Sequence, residues 1–251
     1  MTTIDIHMHV LPGVDDGSKS MEESVTMLKL AAEQGVSMII ATPHSWALNK
    51  YGLDLNDRFE ELKQAAKDHQ IPVQLYLGCE ILANPNTMYE SILRLNQGYF
   101  PTLAGSSYVL IEFDLDASQQ EMKTFVDQFL TEGYIPVIAH AERYENTTVA
   151  GMKELKKLGA MVQINAYSIV NEQKARTREI ANALLSEELV DYIGSDAHRL
   201  DHRPPVISDG VSALSKLYGE RYAKQITETY PRFIIQNLNN LKNEKERKIR
   251  L

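Results

Sequence analysis

Short apolar runs alternate along the chain with amphipathic segments whose apolar residues recur at helical spacing. Each apolar run has the length of a buried β-strand, and each amphipathic segment has one apolar face. The seven predicted strands are 4–10, 38–41, 73–79, 108–113, 135–139, 161–164 and 189–193. A helix or a long crossover follows each strand, and parallel neighbours need such connections, so the pattern predicts a parallel α/β fold.

Two helix starts carry the capping-box pattern, in which a serine is followed three residues later by a glutamate. These pairs are Ser20 with Glu23 and Ser118 with Glu121. Gly133 stands where the second of these helices is expected to end. The pattern therefore places helices after the first and fourth predicted strands.

We interpret the chain as one domain covering residues 1–251, with a short basic tail at 242–251. No stretch rich in Pro, Gly or Ser divides it. An open doubly wound sheet and a closed barrel give the same alternation, and 251 residues suit a single barrel. The polar residues favour the barrel, because functional side chains collect at the carboxyl ends of barrel strands.

Ligand-type residues concentrate at those predicted strand ends. Five of the seven histidines lie there, and the exceptions are His69 and His202. The full set is His7, His9, His44, Glu80, Glu112, His140, Asn165, Asp196 and His198. His7 and His9 share a face, because strand side chains repeat every two residues. Singly, each residue also has an ordinary surface or turn explanation, but together they predict a metal site.

This set is larger than one ion needs, because one zinc ion takes about four ligands. Two or three divalent ions with a bridging carboxylate fit it better. Clustered ions suit the hydrolysis of phosphate esters, since they hold both the attacking and the departing oxygen. Arg143, three residues after His140, and Arg203, five after His198, are either a phosphate clamp or solvated loop side chains.

Composition excludes several other classes. With 26 Lys and Arg against 34 Asp and Glu, the net charge of −8 has the wrong sign for a nucleic-acid binder. No run approaches the ~18 apolar residues of a membrane span, so we expect no transmembrane segment and a cytoplasmic protein. A cysteine-nucleophile phosphatase needs an arginine six residues after its cysteine, and Pro85 stands six after the single Cys79.

Six segments, taken in order, resemble the bacterial PHP-type (polymerase-and-histidinol-phosphatase) protein-tyrosine phosphatases of capsule and exopolysaccharide operons. They are IDIHMHVLPGVDDGSKSMEES, IATPH, GCEI, VLIEF, PVIAHAERY and GSDAHRLDHRPP. The resemblance runs over about residues 4–237 and implies the PHP fold, a distorted seven-stranded (β/α)7 TIM-like barrel with a trinuclear metal site.

The resemblance also implies how the ligands are shared among three ions. The first site comprises His7, His9, Glu80 and Asp196; the second, bridged by Glu80, adds Glu112 and His140; the third comprises Asp16, His44 and His198. Manganese is the expected ion, with iron, zinc or magnesium as alternatives. In the implied mechanism a metal-bridging hydroxide attacks phosphorus while Arg143 and Arg203 clamp the phosphate. Asp196 or His198 would protonate a leaving group poorer than a phenolate.

By the same resemblance, the substrate is the phosphotyrosine tail of a membrane-associated bacterial tyrosine kinase that controls capsule or exopolysaccharide synthesis. The chain departs from its relatives in the loop expected after His44, where they carry a further basic residue and an arginine. Here the stretch reads HSWALNKY, with Lys50 as its cation. Trp46 either stacks on a substrate ring or packs locally.

Four alternative functions stay open at this point. The nearest is hydrolysis of histidinol phosphate or another small phosphomonoester within the same superfamily. A metal-dependent amidohydrolase also uses an HxH pair. The segment DLDAS at 114–118 approximates the motif of aspartate-nucleophile phosphatases but leaves the histidines unexplained. The last alternative is a non-catalytic, metal-bound regulatory module that docks on a kinase.

Overall fold

The structure, a computed structural model, describes residues 2–51 and 55–236, so the predicted basic tail at 242–251 lies outside it. Strands and helices alternate, and the paired strands are parallel. The strands are β1 (Thr3–Met8), β2 (Val36–Ala41), β3 (Gln74–Leu77), β4 (Glu80–Leu82), β5 (Tyr108–Glu112), β6 (Ile135–Ile138), β7 (Met161–Asn165) and β8 (Tyr192–Gly194).

Helices connect these strands, and a helical segment follows the last of them. They are α1 (Met21–Glu33), α2 (Ser45–Tyr51), α3 (Leu55–Asp68), α4 (Met88–Asn96), α5 (Gln119–Thr131), α6 (Val149–Leu158), α7 (Ala175–Ser186), α8 (Ser208–Tyr218) and α9 (Glu220–Lys224). A π-helical turn, Gln225–Thr229, continues α9. No helix within the described ranges has both the length and the apolar character needed to cross a membrane.

Both predicted helix starts are confirmed, because the side chains of Ser20 and Ser118 accept hydrogen bonds from the third N–H of α1 and α5. The capping box is reciprocal only at Ser118. At the other helix the Glu23 carboxylate instead accepts from the N–H of Lys19 at 2.8 Å and of Leu200 at 3.1 Å. Glu23 therefore ties the start of α1 to the loop that follows β8.

The strands form two parallel sheets, with the orders β1–β2–β3 and β4–β5–β6–β7–β8. Single backbone bridges join the sheet edges, one between Met8 and Ala197 and one between His44 and Glu80. Because β3 and β4 together occupy the place of one predicted strand, seven strand positions surround the core. The interrupted pairing at both joins makes this a distorted barrel rather than a regular one.

Apolar side chains fill the barrel in two clusters. One joins side chains of β1, β2, β5, β6 and β8 with Leu103 and Ile234. The larger cluster packs strand side chains against the surrounding helices, and Leu28, Leu62 and Phe129 are completely buried in it. Each such side chain contributes about 1.5–3 kcal/mol to the free energy of unfolding. The rigid barrel fixes the strand ends at which the polar residues lie.

Two sequence predictions about elements were wrong. The predicted strand 73–79 breaks after Leu77, because β3 pairs with β2 whereas β4 pairs with β5. The segment after His44 is the helix α2 rather than a loop. Helices α8 and α9 were not predicted. The side chain of Lys50 lies outside what the structure describes.

Candidate metal centre

The carboxylate of Glu80 lies at the centre of a ring of imidazole nitrogens. Its Oε1 is 2.9 Å from Nε2 of His140 and 3.3 Å from Nε2 of His7. Its Oε2 is 3.1 Å from Nδ1 of His44 and 3.2 Å from Nε2 of His9. Glu80 is fully buried and begins β4, whereas the sequence placed it at the end of a longer strand. The break between β3 and β4 brings it into the ring.

The other predicted ligands surround this core. Oε1 of Glu112, at the end of β5, lies 3.0 Å from Nδ1 of His44. Oδ1 of Asp196, just beyond β8, lies 3.6 Å from Nε2 of His7. The half-exposed Asp16 places Oδ1 3.7 Å from Nε2 of His198. The structure thus brings all nine predicted ligand residues together.

Candidate ligand atoms fall into three compact groups, each within 4.8 Å. The groups are His7, His9 and Asp196; His44, Glu80 and Glu112; and His9, Asp16, His44 and His198. They overlap with the three sets expected from the resemblance, with three differences. Glu80 is not in the first group, His44 takes the place of His140 beside Glu80 and Glu112, and His9 joins Asp16, His44 and His198. The histidines therefore connect neighbouring groups in one continuous cluster.

Several buried atoms of this cluster form no hydrogen bond of normal geometry with any described residue, although other candidate ligand atoms lie close to them. They include Nδ1 of His44, Oε2 of Glu80 and Oδ1 of Asp196. Leaving such an atom unpaired costs about 1–3 kcal/mol. Nε2 of His7 also faces Nε2 of His9 at 3.1 Å, so two ring nitrogens point at one place. Converging, unpaired nitrogen and oxygen donors are what divalent cations bind, and the residues present fit such ions.

Asp15, which the sequence pattern does not single out from its neighbour Asp16, orients two of the histidines. Its carboxylate lies 2.8 Å from Nδ1 of His9 and accepts the N–H of His44 at 2.9 Å. It also accepts the N–H of Gly17 at 2.9 Å. A Cβ on Gly17 would lie 2.3 Å from the carbonyl oxygen of His9, so only glycine fits this turn. Nothing in the VDDG sequence distinguishes the two aspartates.

Gln163, inside β7, is a second overlooked residue. Its Oε1 lies 3.2 Å from Nδ1 of His7 and accepts the N–H of His140 at 2.8 Å. Its Nε2 donates to Asn165, which in turn donates to Oδ2 of Asp196 at 2.9 Å. The signal in the sequence was a polar residue within the apolar run MVQIN. Such outer hydrogen bonds hold metal ligands in a fixed orientation.

Arg143 and Arg203 converge on one oxygen at the edge of the cluster. Their Nη1 atoms donate to Oδ2 of Asp196 at 3.1 and 2.9 Å. Nη2 of Arg203 is also 2.7 Å from Nε2 of His198. Both side chains are partly exposed and face a cavity of about 510 Å³. Other residues lining this cavity include Asn165, Tyr167, Lys174 and His202.

Three site residues have left-handed backbone conformations. The φ angles are 32° at His140, 51° at Asp196 and 54° at Arg203. A non-glycine residue in this region stores about 1–3 kcal/mol of strain. The packed structure maintains this strain at three residues whose side chains lie in the site.

Charge interactions in the cluster shift several pKa values. Burial acts to raise the pKa of Glu80, but His7 and His44 hold it well below its usual range. Burial acts to lower the pKa of His9, yet Asp15 raises it well above normal. Burial, together with repulsion from His9, lowers the pKa of His198 to about 2.

The residues that would act as nucleophiles in other classes of phosphatase, Cys79 and the aspartates of DLDAS, are not part of the ligand cluster. Burial raises the pKa of the Cys79 thiol well above its ordinary value, and a neutral thiol is a poor nucleophile. Asp114 and Asp116 of the DLDAS segment are exposed, and the serine that ends it caps α5. Neither segment has the arrangement of a nucleophilic phosphatase.

Comparison with solved structures identifies the fold first. Histidinol phosphate phosphatase from Lactococcus lactis aligns with a TM-score of 0.55 and 16% identity, over 87% of this chain and 94% of that one. At this identity the match shows the fold alone, a TIM-like barrel of the PHP and amidohydrolase type. The predicted fold class is confirmed.

Residues 3–236 match the family model described as capsular polysaccharide synthesis, CpsB/CapC, and the chain belongs to that family. Tyrosine-protein phosphatase CpsB of Streptococcus pneumoniae is 32% identical over 247 residues, 93% of this chain and 98% of the relative. A crystal structure from work on YwqE of Bacillus subtilis and CpsB of S. pneumoniae, described as unique metal-dependent tyrosine phosphatases, superposes with a TM-score of 0.81. It is 27% identical and covers 93% of this chain and 94% of that one.

Proposed function

We propose that this protein is a metal-dependent protein-tyrosine phosphatase that acts in capsule or exopolysaccharide synthesis. The proposal rests mainly on the Glu80 carboxylate, which is surrounded by nitrogen atoms of four imidazoles. Arg143 and Arg203, which both donate to Asp196, lie next to this group. The family match and the activity in the names of the relatives support it.

Two or three divalent ions, which we propose to be manganese, would be held by the nine clustered residues. A mixed imidazole and carboxylate set suits manganese as well as iron or zinc. The proposed ligands are His7, His9, Asp16, His44, Glu80, Glu112, His140, Asp196 and His198. When bound, such ions lower the pKa of water to near neutrality and place positive charge beside the phosphate.

The arginines bind the phosphate oxygens in this proposal. Asp196 orients both guanidinium groups through one oxygen, so they are held in place before substrate arrives. Donors fixed in this way stabilise the negative charge that develops on the phosphate oxygens in the transition state. Both Arg143 and Arg203 are open to the cavity and reach substrate without a change of fold.

The leaving group explains a preference for tyrosine. His7, His140 and Arg203 hold the pKa of Asp196 below its usual range against the effect of burial, and His198 has a pKa of about 2. Both shifts favour the deprotonated forms that bind metal ions, so we assign Asp196 and His198 ligand roles rather than the role of general acid. A phenolate, with a pKa of about 10, leaves without such help, whereas an alkoxide does not.

The proposed substrate is phosphotyrosine in the tail of a membrane-associated bacterial tyrosine kinase. The capsule-synthesis family of the chain and the tyrosine phosphatase relatives support this choice. We propose further that the chain acts as a single domain, residues 1–251, in the cytoplasm.

The test is phosphate release from a phosphotyrosine peptide, assayed with added manganese, after chelation, and after manganese is returned. We expect activity that disappears with the chelator and returns with the ion. Phosphoserine peptide and histidinol phosphate serve as matched substrates, and both should be slower. Failure to hydrolyse phosphotyrosine despite bound metal would reject the proposal, and faster turnover of histidinol phosphate would assign the related small-molecule activity.

A further inference from the structure

The aromatic ring of Tyr167 forms part of the wall of the cavity beside the arginines. The cavity has a volume of about 510 Å³, within the range of small-molecule sites, and Arg143, Arg203 and Asp196 line it as well. Tyr167 is 51% exposed, although it is the second residue after β7, whose last residue, Asn165, contacts Asp196. An aromatic surface therefore lies next to the phosphate-binding side chains.

The turn that carries Tyr167 is anchored on both sides of the exposed ring. Oγ of Ser168 donates to Oε1 of Glu142 at 2.7 Å, and the N–H of Asn165 donates to the same oxygen at 3.0 Å. Ser168 and Glu142 are buried. The structure thus presents a large apolar side chain to the cavity on a fixed backbone.

The direction of the reaction places the substrate ring on this side. In an in-line displacement the leaving group departs opposite the attacking oxygen. A nucleophile at the ligand cluster, with the phosphate held by Arg143 and Arg203, therefore puts the phenol of phosphotyrosine on the cavity side. Tyr167 supplies a phenol ring to the wall of this cavity.

We propose that Tyr167 is a specificity-determining residue whose ring packs against the phenyl ring of the substrate. The inference rests on the proposed function and adds to it the residue that selects an aryl ester. Ring–ring packing of this kind is worth about threefold to tenfold in binding. This packing favours a phenyl phosphate over an alkyl phosphate and leaves the contacts of Arg143 and Arg203 with the phosphate unchanged.

Trp46 is the competing aromatic residue near the ligands. It stacks on the ring of His44, with centroids 5.5 Å apart and an interplanar angle of 29°, and it is 40% exposed. One face of the indole is thus occupied within the protein, and Trp46 is not part of the wall of the cavity. This contact favours local packing over substrate stacking.

The test compares two competitive inhibitors of the manganese-loaded, full-length protein. Phenylphosphonate carries the aryl ring and methylphosphonate does not. For Tyr167→Ala we expect the inhibition constant of phenylphosphonate to rise about threefold to tenfold, while that of methylphosphonate changes less than about twofold. KM for a phosphotyrosine peptide should rise in parallel with little change in kcat. Tyr167→Phe should restore wild-type values, because it keeps the ring.

Tyr89→Ala is the matched control, since Tyr89 is 84% exposed on α4 and outside this cavity. An unchanged inhibitor ratio in Tyr167→Ala, or equal weakening of both inhibitors, would overturn the inference. A Trp46→Ala variant in which the inhibition constant rises for phenylphosphonate alone would also overturn the inference. A wild-type protein that hydrolyses histidinol phosphate, with both phosphonates as inhibitors, but hydrolyses no phosphotyrosine would reject the proposed function instead, so the two failures are distinguishable.

Discussion

Asp15 lies 2.8 Å from Nδ1 of His9, on the side of the imidazole that faces away from Glu80. This contact leaves Nε2 of the ring directed at the Glu80 carboxylate, 3.2 Å away. The same aspartate accepts the N–H of His44. One residue outside the proposed ligand set therefore fixes two members of it, and such carboxylates also set which ring nitrogen is free to bind a metal.

For Asp15→Asn we expect metal affinity and kcat/KM to fall about 10- to 100-fold, the range for loss of an outer-shell partner. The amide has a weaker acceptor and no charge with which to orient His9. Metal titration and phosphotyrosine hydrolysis measure the effect. Asp114→Asn, at an exposed position, is the control and should behave as wild type. Wild-type metal affinity in Asp15→Asn would contradict the orienting role.

Glu80→Gln should remove activity and bound metal together. The carboxylate faces four imidazole nitrogens at 2.9 to 3.3 Å, and an amide offers only one oxygen and no charge to the ions they share. We expect a loss greater than about 100-fold, more than that from an outer-shell residue. Metal analysis of the purified variant should show fewer ions per chain. Normal metal content with normal turnover would refute the bridging role.

Substitution of the two arginines should affect phosphate binding rather than metal binding. In Arg143→Lys and Arg203→Lys the charge remains but the planar donor fork is lost. We expect kcat/KM to fall about 10²- to 10³-fold for each, as for loss of a donor to a developing oxyanion. Metal content should be unchanged for Arg143→Lys. Arg199→Lys is the matched control, because Arg199 pairs with Asp201 on the nearby loop. Equal losses in all three variants would mean that the loop, not the clamp, was disturbed.

Stability should depend on pH through Glu142. Burial raises the pKa of this carboxyl group, although Ser168 and the N–H of Asn165 act to lower it. The folded state thus binds the proton more tightly than the unfolded chain, and this contribution to stability is lost as pH rises above 4.5 through the folded-state pKa. Glu142→Gln keeps an oxygen acceptor for Ser168 and does not ionise.

We therefore expect the Tm of Glu142→Gln, relative to wild type, to rise as pH increases through that interval. Thermal unfolding of both proteins at several pH values up to neutrality measures the difference. A difference that stays constant, or one that shrinks with rising pH, would show that Glu142 is not held protonated by its burial.

The sequence located most strands and eight of the nine candidate ligands because these depend on local periodicity; Asp16 was indicated only by the family resemblance. His7 and His9 share a face through the two-residue repeat of a strand, and the capping serine Ser118 starts its helix through contacts three residues away. The break between β3 and β4 escaped prediction because the run 73–79, VQLYLGC, is mostly apolar and has the length of one strand. Pairing with two different neighbours, not composition, divides it.

The sequence by itself determined that the site offers histidine and carboxylate donors. Side chains at the strand ends present these donor atoms at the same face of any parallel barrel. Tertiary structure alone decided which side chains support them. Gln163 reaches His7 across 156 positions of the chain, and Asp15 rather than Asp16 turns inward to His9. These contacts depend on distances of about 3 Å between separate elements, which only the packed barrel fixes. The same packing places Tyr167 beside the arginines.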